Sequence, residues 1–355
     1  MGVVRVQGAD AVKFLQGQVS NDVERLTADR SVLAGLHNAQ GRAIAVLRLL
    51  LVGDDEILGL VSRELAATVV ARLSKFVLRA KVKISDASEQ FEVVGVVEGG
   101  VIAGRLAAAS VGAARRDEEG RVWVCVATDG ASTGAGGAGS DAWPEGAPTG
   151  VAGGGEARLE GASQPLGSAA RNGASSRWLV ASKVAPLTEP RGDEGGGALH
   201  VGSPRPALSR DEWRALDVAD GIPEVVAATS EAFVAQMLNL DLVDGIAFDK
   251  GCYTGQEVIA RAHYRGKVKR RMQRFRTGDP VKLSAGDAGT LSDGRHFKVV
   301  TAVQLGDGRS EFLAVAPMTS ASGAPSPDDE AHPAQGAGTA PLNAETLPLP
   351  YALPS

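Results

Sequence analysis

A chain of 355 residues, 44% of them hydrophobic, is long enough for two or three domains with substantial cores. Its net charge of −5 excludes a molecule-wide nucleic-acid surface and gives no reason to expect DNA as a partner. Aromatic residues make up only 4% and glycines number 45, a mixture that points to folded units diluted by flexible insertions.

The two cysteines, Cys125 and Cys252, make no disulfide framework, no CxxC pair and no His/Cys cluster, so the sequence predicts no metal site and a reducing, cytoplasmic setting. The opening MGVVRVQGAD lacks a basic n-region followed by an apolar h-region, so no secretory signal is expected from it. The longest apolar run, Ala43–Val52, is interrupted by Arg48 and too short to span a bilayer, so no membrane association is expected.

In chain order, Val3–Val6 reads as a strand, and Gly8-Ala9-Asp10 turns into an amphipathic helix carrying Val12, Phe14, Leu15 and Val19. The Asn38–Gly41 turn between two apolar stretches predicts a hairpin. Arg63–Val77 has helical spacing, and Lys81–Ile84, Phe91–Val97 and Val122–Val126 read as strands, the last placing Cys125 in a core. Beyond Thr128 the composition is dominated by Gly, Ala and Ser, and Lys183–Pro206 is Gly/Pro-rich, so residues 127–210 read as insertions around one short strand at 177–181. Residues 1–126 then form an N-terminal α/β region and 211–265 a second core segment that opens on a helix containing Trp213. Strands expected at Lys267–Phe275, Val281–Leu283, Phe297–Val303 and Glu311–Ala316 give 266–317 the look of a small C-terminal β-barrel. A disordered tail at 318–345 precedes a terminal barrel strand within 346–355. The fold class is α+β.

The chemistry concentrates in FDKGCYTGQEVIARAHYR, residues 248–265. Gly251 and Gly255 allow turn conformations closed to other residues, and Gln256 and Glu257 open a helix with Val258, Ile259 and Ala262 on its apolar side. Cys252 thus precedes a helix N-terminus and neighbours Lys250, both of which favour thiolate. The same residues also suit a conformationally demanding loop in which Cys252 merely packs. His263 is the nearby candidate base for a cysteine enzyme, although most helix histidines only pack or face solvent.

Lys250-Gly251-Cys252-Tyr253-Thr254-Gly255-Gln256-Glu257 resembles the K-G-C-Y-x-G-Q-E signature of the YgfZ family. The likeness extends to Gly8-Ala9-Asp10, to the stretch from Phe14 to Val23, to Asn38–Arg42, to KFVLRAKVKISD at 75–86, to Gly221-Ile222-Pro223 and to Leu347–Tyr351. It implies an assembly related to the T-protein of glycine cleavage: two α/β domains around a central folate-sized hole, with a C-terminal β-barrel. It further implies binding of tetrahydrofolate or a derivative, and support for synthesis or repair of iron–sulfur client enzymes, including some that thiolate tRNA. Cys252 would be the key residue and Trp213 a folate contact, with Asn21 and Asp22 as further candidates; Arg261 and Arg265, the basic residues nearest the signature, are candidate ligand contacts by charge and position.

Three departures bear on that reading. T-proteins place an acidic residue just after the turn matching Gly41, whereas this chain runs Arg42-Ala43-Ile44-Ala45-Val46, which disfavours the alternative of an aminomethyl-type transferase. A partner tryptophan sometimes precedes the first strand in the family, where this chain has Met1. Finally, Ser230 before Phe233, Met237 and Leu240 reads as an N-capped helix, whereas the resemblance argues for an extended loop. Separately, residues 261–276 hold eight Arg or Lys and no acid, either a solvated strand or an anionic contact. An RNA contact there would run through Arg270 or Arg271.

Overall fold

The computed structural model describes residues 1–98, 112, 114–116, 122–128, 176–183, 209–266, 268–318 and 340–354. The low-complexity readings at 129–175, 184–208 and 319–339 lie outside these residues.

Three antiparallel sheets carry the fold. The first has the order β2-β3-β4-β1-β5, from β1 (Gly2–Gln7), β2 (Val32–His37), β3 (Ala43–Gly53), β4 (Glu56–Val61) and β5 (Lys83–Asp86). The expected hairpin is β2–β3, closed by the Asn38–Gly41 turn. Strand β4 was not expected from the sequence; it follows the Asp54-Asp55 turn and pairs with both β3 and β1. Both faces of this sheet are covered. Val4, Val6, Leu47, Leu49, Ile57 and Val61 join the main core, while Val3, Leu50, Leu58 and Leu60 face a second cluster with Phe91, Val124 and Leu179. Two buried faces explain why β3 is almost continuously apolar instead of alternating.

Helix α1 (Ala11–Gln16) is shorter than expected and leaves Val19 in a bridge to Leu36. Helix α2 (Ala66–Ser74), entered through a 3-10 turn at Arg63–Leu65, buries Leu65, Val69 and Leu73 and leaves Phe76 exposed. The second sheet, β6-β9-β8-β7, comprises β6 (Phe91–Glu98), β7 (Ala114–Arg116), β8 (Val122–Thr128) and β9 (Ser176–Lys183). Strands β8 and β9 are neighbours with Thr128 opposite Ser176, although 129–175 separate them in sequence. Cys125 lies in β8 as expected; its side-chain burial is outside the described residues.

Helix α3 (Arg210–Asp220) starts at a capping box, in which Ser209 Oγ accepts from Glu212 N and the Glu212 carboxylate accepts from Ser209 N. It ends at Gly221, which is left-handed with φ +65°. Residues 230–240 form no α-helix. Ser230 Oγ donates to Ile44 O, Glu231 N to Ala43 O, and Phe233 O accepts from Ala43 N, so this stretch is tied to the start of β3 and then turns through a 3-10 segment at Ala235–Leu238. The extended-loop reading therefore holds over the capped helix.

The third sheet corrects the barrel. Its order is β11-β12-β13-β10-β14, from β10 (Arg270–Thr277), β11 (Ala288–Thr290), β12 (His296–Gln304), β13 (Ser310–Pro317) and β14 (Ala344–Leu347). Among the described residues no ladder closes it; one bridge, Leu291 to Leu342, links the β11 end to the approach to β14. Val281–Leu283 is not a strand, since Pro280 precedes it and Val281 O accepts from Ser310 Oγ. The last strand is 344–347, and residues 340–345, expected in the tail, are joined to the sheet through Leu342 N to Thr290 O and Ser292 N to Leu342 O.

The basic run also resolves into structure. Arg271 is 5% exposed and grips Asp241 bidentately at 2.9 and 2.8 Å, while donating to Gln236 O. Arg274 and Arg276 both pair with Glu311. Arg271, named as an RNA contact, is instead an internal ion pair between β10 and the 235–241 segment. Removing one partner of such a buried pair strands the other charge. Asp241→Asn is expected to cost about 3–5 kcal/mol, read as a shift in the urea midpoint with an unchanged slope.

Candidate functional site

The signature loop is held by contact between two main chains. Gly255 has φ +83°, and a Cβ there would lie 2.4 Å from Asn38 O and 3.0 Å from Gly41 Cα. Gly41, at φ +70°, sits under Val258 of α4 (Gln256–Tyr264), where a Cβ would come within 3.1 Å. Both positions need glycine for conformation and for room. Asn38 fixes its own turn, accepting from Gln40 N and Arg42 N and donating to Glu231 at 2.8 Å.

Lys250 locks the other side. Its ammonium donates to the carbonyls of Gln16, Val19 and Asn21 at 2.7, 2.8 and 2.7 Å and lies 5.2 Å from the Tyr253 ring centre. Burial lowers this amine to about 8, against the pull of Asp22 and Glu24, so it remains charged at neutral pH. The charge is spent on three carbonyls. Asn21 is 1% exposed, with its amide donating to Leu33 O and Asp244 O and its oxygen accepting from Asp22 N. Asp22 accepts from Gln16 Nε2 and from Glu24 N. The two side chains thus shape the loop that Lys250 clamps. Cys252 itself is a free, exposed thiol, beside a Gly251 with open space around its Cα. Gln256 Nε2 reaches back to Lys250 O at 3.4 Å, and Glu257 is exposed. Arg261 and Arg265 are exposed on and after α4, where Phe248 and His263 stack at 3.8 Å.

Tyr253 is buried, which raises its hydroxyl pKa, and its ring centre is 6.4 Å from that of His37. His37 is fully buried, and neither ring nitrogen has a hydrogen-bond partner of good geometry. Burial lowers it to about 4, with the nearby Gly35 peptide acting in the opposite direction. Room for the ring exists because residue 35 is glycine: a Cβ there would meet His37 Cε1 at 2.3 Å.

Leu33, Gly35 and His37 recur at the strand period of two. At the Leu33 end this face lines a cleft of about 360 Å³ between the first two sheets and α3. Apolar walls come from Val46, Leu60, Val93, Leu179 and Ile222; charges come from Arg48, Arg63, Arg210, Arg214, Asp217 and Glu224. Trp213 lies in the cleft with its ring directly on Gly95, where a Cβ would be 2.1 Å from Cε3. Ser62 Oγ, also on the lining, is buried without a hydrogen-bond partner. Sequence reasoning named Trp213 as a folate contact. It did not find His37 or Ser62, and it saw Arg48 only as a break in an apolar run; a charge and an imidazole inside otherwise apolar strands were the available signals.

The structure therefore separates the expected site residues into two groups. Trp213 lies in the cleft. Cys252, the rest of the signature, Asn21, Asp22, Arg261 and Arg265 do not line it. His37 lies four residues along β2 from the cleft-lining Leu33, with its ring near that of Tyr253.

No protein-family profile matches the chain. Among solved structures, the chain is similar to the glycine cleavage system aminomethyltransferase T from Bartonella henselae, with a TM-score of 0.53 and 11% identity over 89% of this chain and 76% of that one. The likeness establishes a T-protein-like fold.

Two predictions follow from this geometry. Because His37 is held below its ordinary 6.5 in the folded state, it favours folding above that pH and disfavours it progressively as pH falls towards 4. Between about pH 7.5 and about pH 5 the loss is about 2 kcal/mol, and urea melts of His37→Gln should lack that increment. Lys250→Met, which abandons three carbonyls, should cost about 2 kcal/mol and speed amide exchange in residues 16–23.

Proposed function

We propose that this protein binds a reduced folate in the Trp213 cleft and serves, in the manner of the YgfZ family, as an accessory to iron–sulfur enzymes, with Cys252 as its reactive residue. The observation that carries the folate reading is the cleft itself. A large aromatic face backed by a glycine, apolar walls and charges of both signs within about 360 Å³ suit a flat, polar-edged heterocycle. A pteridine presents amino and N–H donors on one edge and a carbonyl acceptor on another. Asp217 and Glu224 offer acceptors for the first; Arg48 and the unpartnered Ser62 hydroxyl offer donors for the second. The folate would supply a one-carbon carrier. The protein's own residues bind it, orient its ring on Trp213 and keep it from bulk water.

The accessory part of the proposal rests on the signature resemblance and on the presentation of Cys252. Its thiol is exposed on a loop fixed by Lys250 and Gly255, outside the cleft lining, a placement suited to reaching a client protein and not to attacking a ligand in the cleft. Client tRNA-thiolating enzymes fit the same reading. Direct tRNA contact would fall to the exposed Arg261 and Arg265, since Arg271 is engaged. An aminomethyl-type transfer would use the same cleft, and its carboxylate would have to be Asp217 or Glu224, because Arg42–Val46 supplies none. Glu224 already pairs with Arg214 at 3.6 Å.

The test is titration with 5-formyltetrahydrofolate by calorimetry. Saturable binding that weakens about tenfold or more in Trp213→Phe and in Ser62→Ala supports the cleft; no binding at millimolar ligand, or binding indifferent to both changes, refutes it. Cys252→Ser should leave folate affinity and melting temperature unchanged while abolishing rescue of iron–sulfur enzyme activity in cells lacking the protein.

A further inference from the structure

The segment that connects α2 to β5 carries more than its fold needs. Between Leu65 and Ser85 there is no Asp or Glu, but there are five cations, Arg72, Lys75, Arg79, Lys81 and Lys83. This in a chain whose net charge is −5. Lys75, Arg79, Lys81 and Lys83 are exposed. Among the described residues none of the five has an ion-pair partner.

The inward side of the segment is fully supplied. Val77, Ala80, Val82 and Ile84 pack against the main core. Its main chain is tied down by Phe76 N to Leu73 O, Val77 N to Ser74 O and Lys81 N to the Asp10 carboxylate at 2.7 Å. Leu78 N donates to Phe76 O, but the Leu78 side chain has no part in the packing: it is 88% exposed on a fixed backbone, next to a half-exposed Phe76. Lysines on a terminal strand are commonly explained as protection against edge-to-edge aggregation, and β5 is the terminal strand of its sheet. That accounts for Lys83. A bare leucine in the same place works against such protection.

We propose that residues 75–83 are a docking surface for an acidic, extended segment of a partner protein, anchored by an apolar pocket or side chain that covers Leu78. The charges define the partner. Arg79, Lys81 and Lys83 are exposed at alternate positions, with Ala80 and Val82 turned inward between them. An extended chain repeats its side chains with the same period of two, so carboxylates at every second position can meet all three. Lying beside β5, such a segment would also reach the edge of the sheet. Phe76 is not free to serve as a stacking platform for a nucleic-acid base, because the Arg72 guanidinium lies 5.7 Å over its ring. One projecting leucine is enough to anchor a protein hot spot and too little apolar surface to insert a loop stably into a bilayer.

The experiment is selection from a displayed library of random dodecapeptides on the purified full chain, followed by fluorescence anisotropy of the enriched peptides at low and high salt. The expected result is enrichment of peptides with alternating carboxylates around a large apolar residue, with affinity falling about tenfold in Leu78→Glu, in the double variant Arg79→Glu/Lys81→Glu, and at high salt. These side chains are exposed, so both variants should retain the parent melting temperature, and the charge-reversal pair reports even if Leu78→Glu proves unstable. The proposal is overturned if no acidic peptides are enriched or if both variants bind them as the parent does. It is equally overturned if phosphatidylserine vesicles or poly-uridine RNA bind through Leu78 and the peptides do not compete.

Discussion

The arrangement around the signature depends on one steric fact: at Gly255 the chain passes within contact distance of the Asn38–Gly41 turn, main chain against main chain. Any side chain at Gly255 would have to occupy the space of a carbonyl oxygen. With that approach permitted, α4 starts against the β2–β3 hairpin, Val258 covers Gly41, and Tyr253 is carried under the turn towards His37. Lys250 then fastens the free side of the loop to three carbonyls of the segment after α1. Cys252 is left outside, exposed but not loose. A thiol that must meet another macromolecule has to combine access with a fixed position, and a loop pinned on both sides provides both.

Cleft and loop are separate places on one continuous scaffold. Strand β2 runs from Leu33 at the cleft to His37 beside Tyr253. A neutral imidazole without a well-aligned hydrogen bond is costly to bury, and its ring occupies space made by Gly35. The functional reading thus has a physical frame: a ligand-sized cleft faced by Trp213 at one end of a hairpin and an anchored thiol at the other. The T-protein-like fold supplies the frame, and the residues on it have to carry the argument about chemistry.

Features set by local patterning were legible in the sequence. The β2–β3 hairpin follows from a turn between two apolar runs, α4 from the glycine and the Gln-Glu pair that open it, and α3 from the periodicity around Trp213. What escaped depends on partners far along the chain. Arginines in β10 look solvent-facing until Asp241 and Glu311 are known to lie opposite them. Lys250 looks like a neighbour that activates Cys252 until the carbonyls of Gln16, Val19 and Asn21 close around it. For the C-terminal strands the limit is different: a strand count does not reveal whether the two edge strands, β11 and β14, pair with each other. Strand β4 was missed because its short apolar run lies between a longer one and a helix, with only a two-residue acidic turn to announce it.

The pairing of β8 with β9 has a consequence for how this chain is built. Thr128 and Ser176 sit opposite each other in one ladder, so the two ends of whatever lies between them are fixed at a strand's spacing by the sheet alone. The free energy of closing a connection grows only logarithmically with its length, about 0.6 kcal/mol for each doubling. The β8–β9 ladder is therefore nearly indifferent to how many residues separate Thr128 from Ser176. A change in length there adds little closure cost to the ladder, so the gene can lengthen at this point while selection acts on the paired strands. Total chain length is then a poor measure of the machinery it encodes.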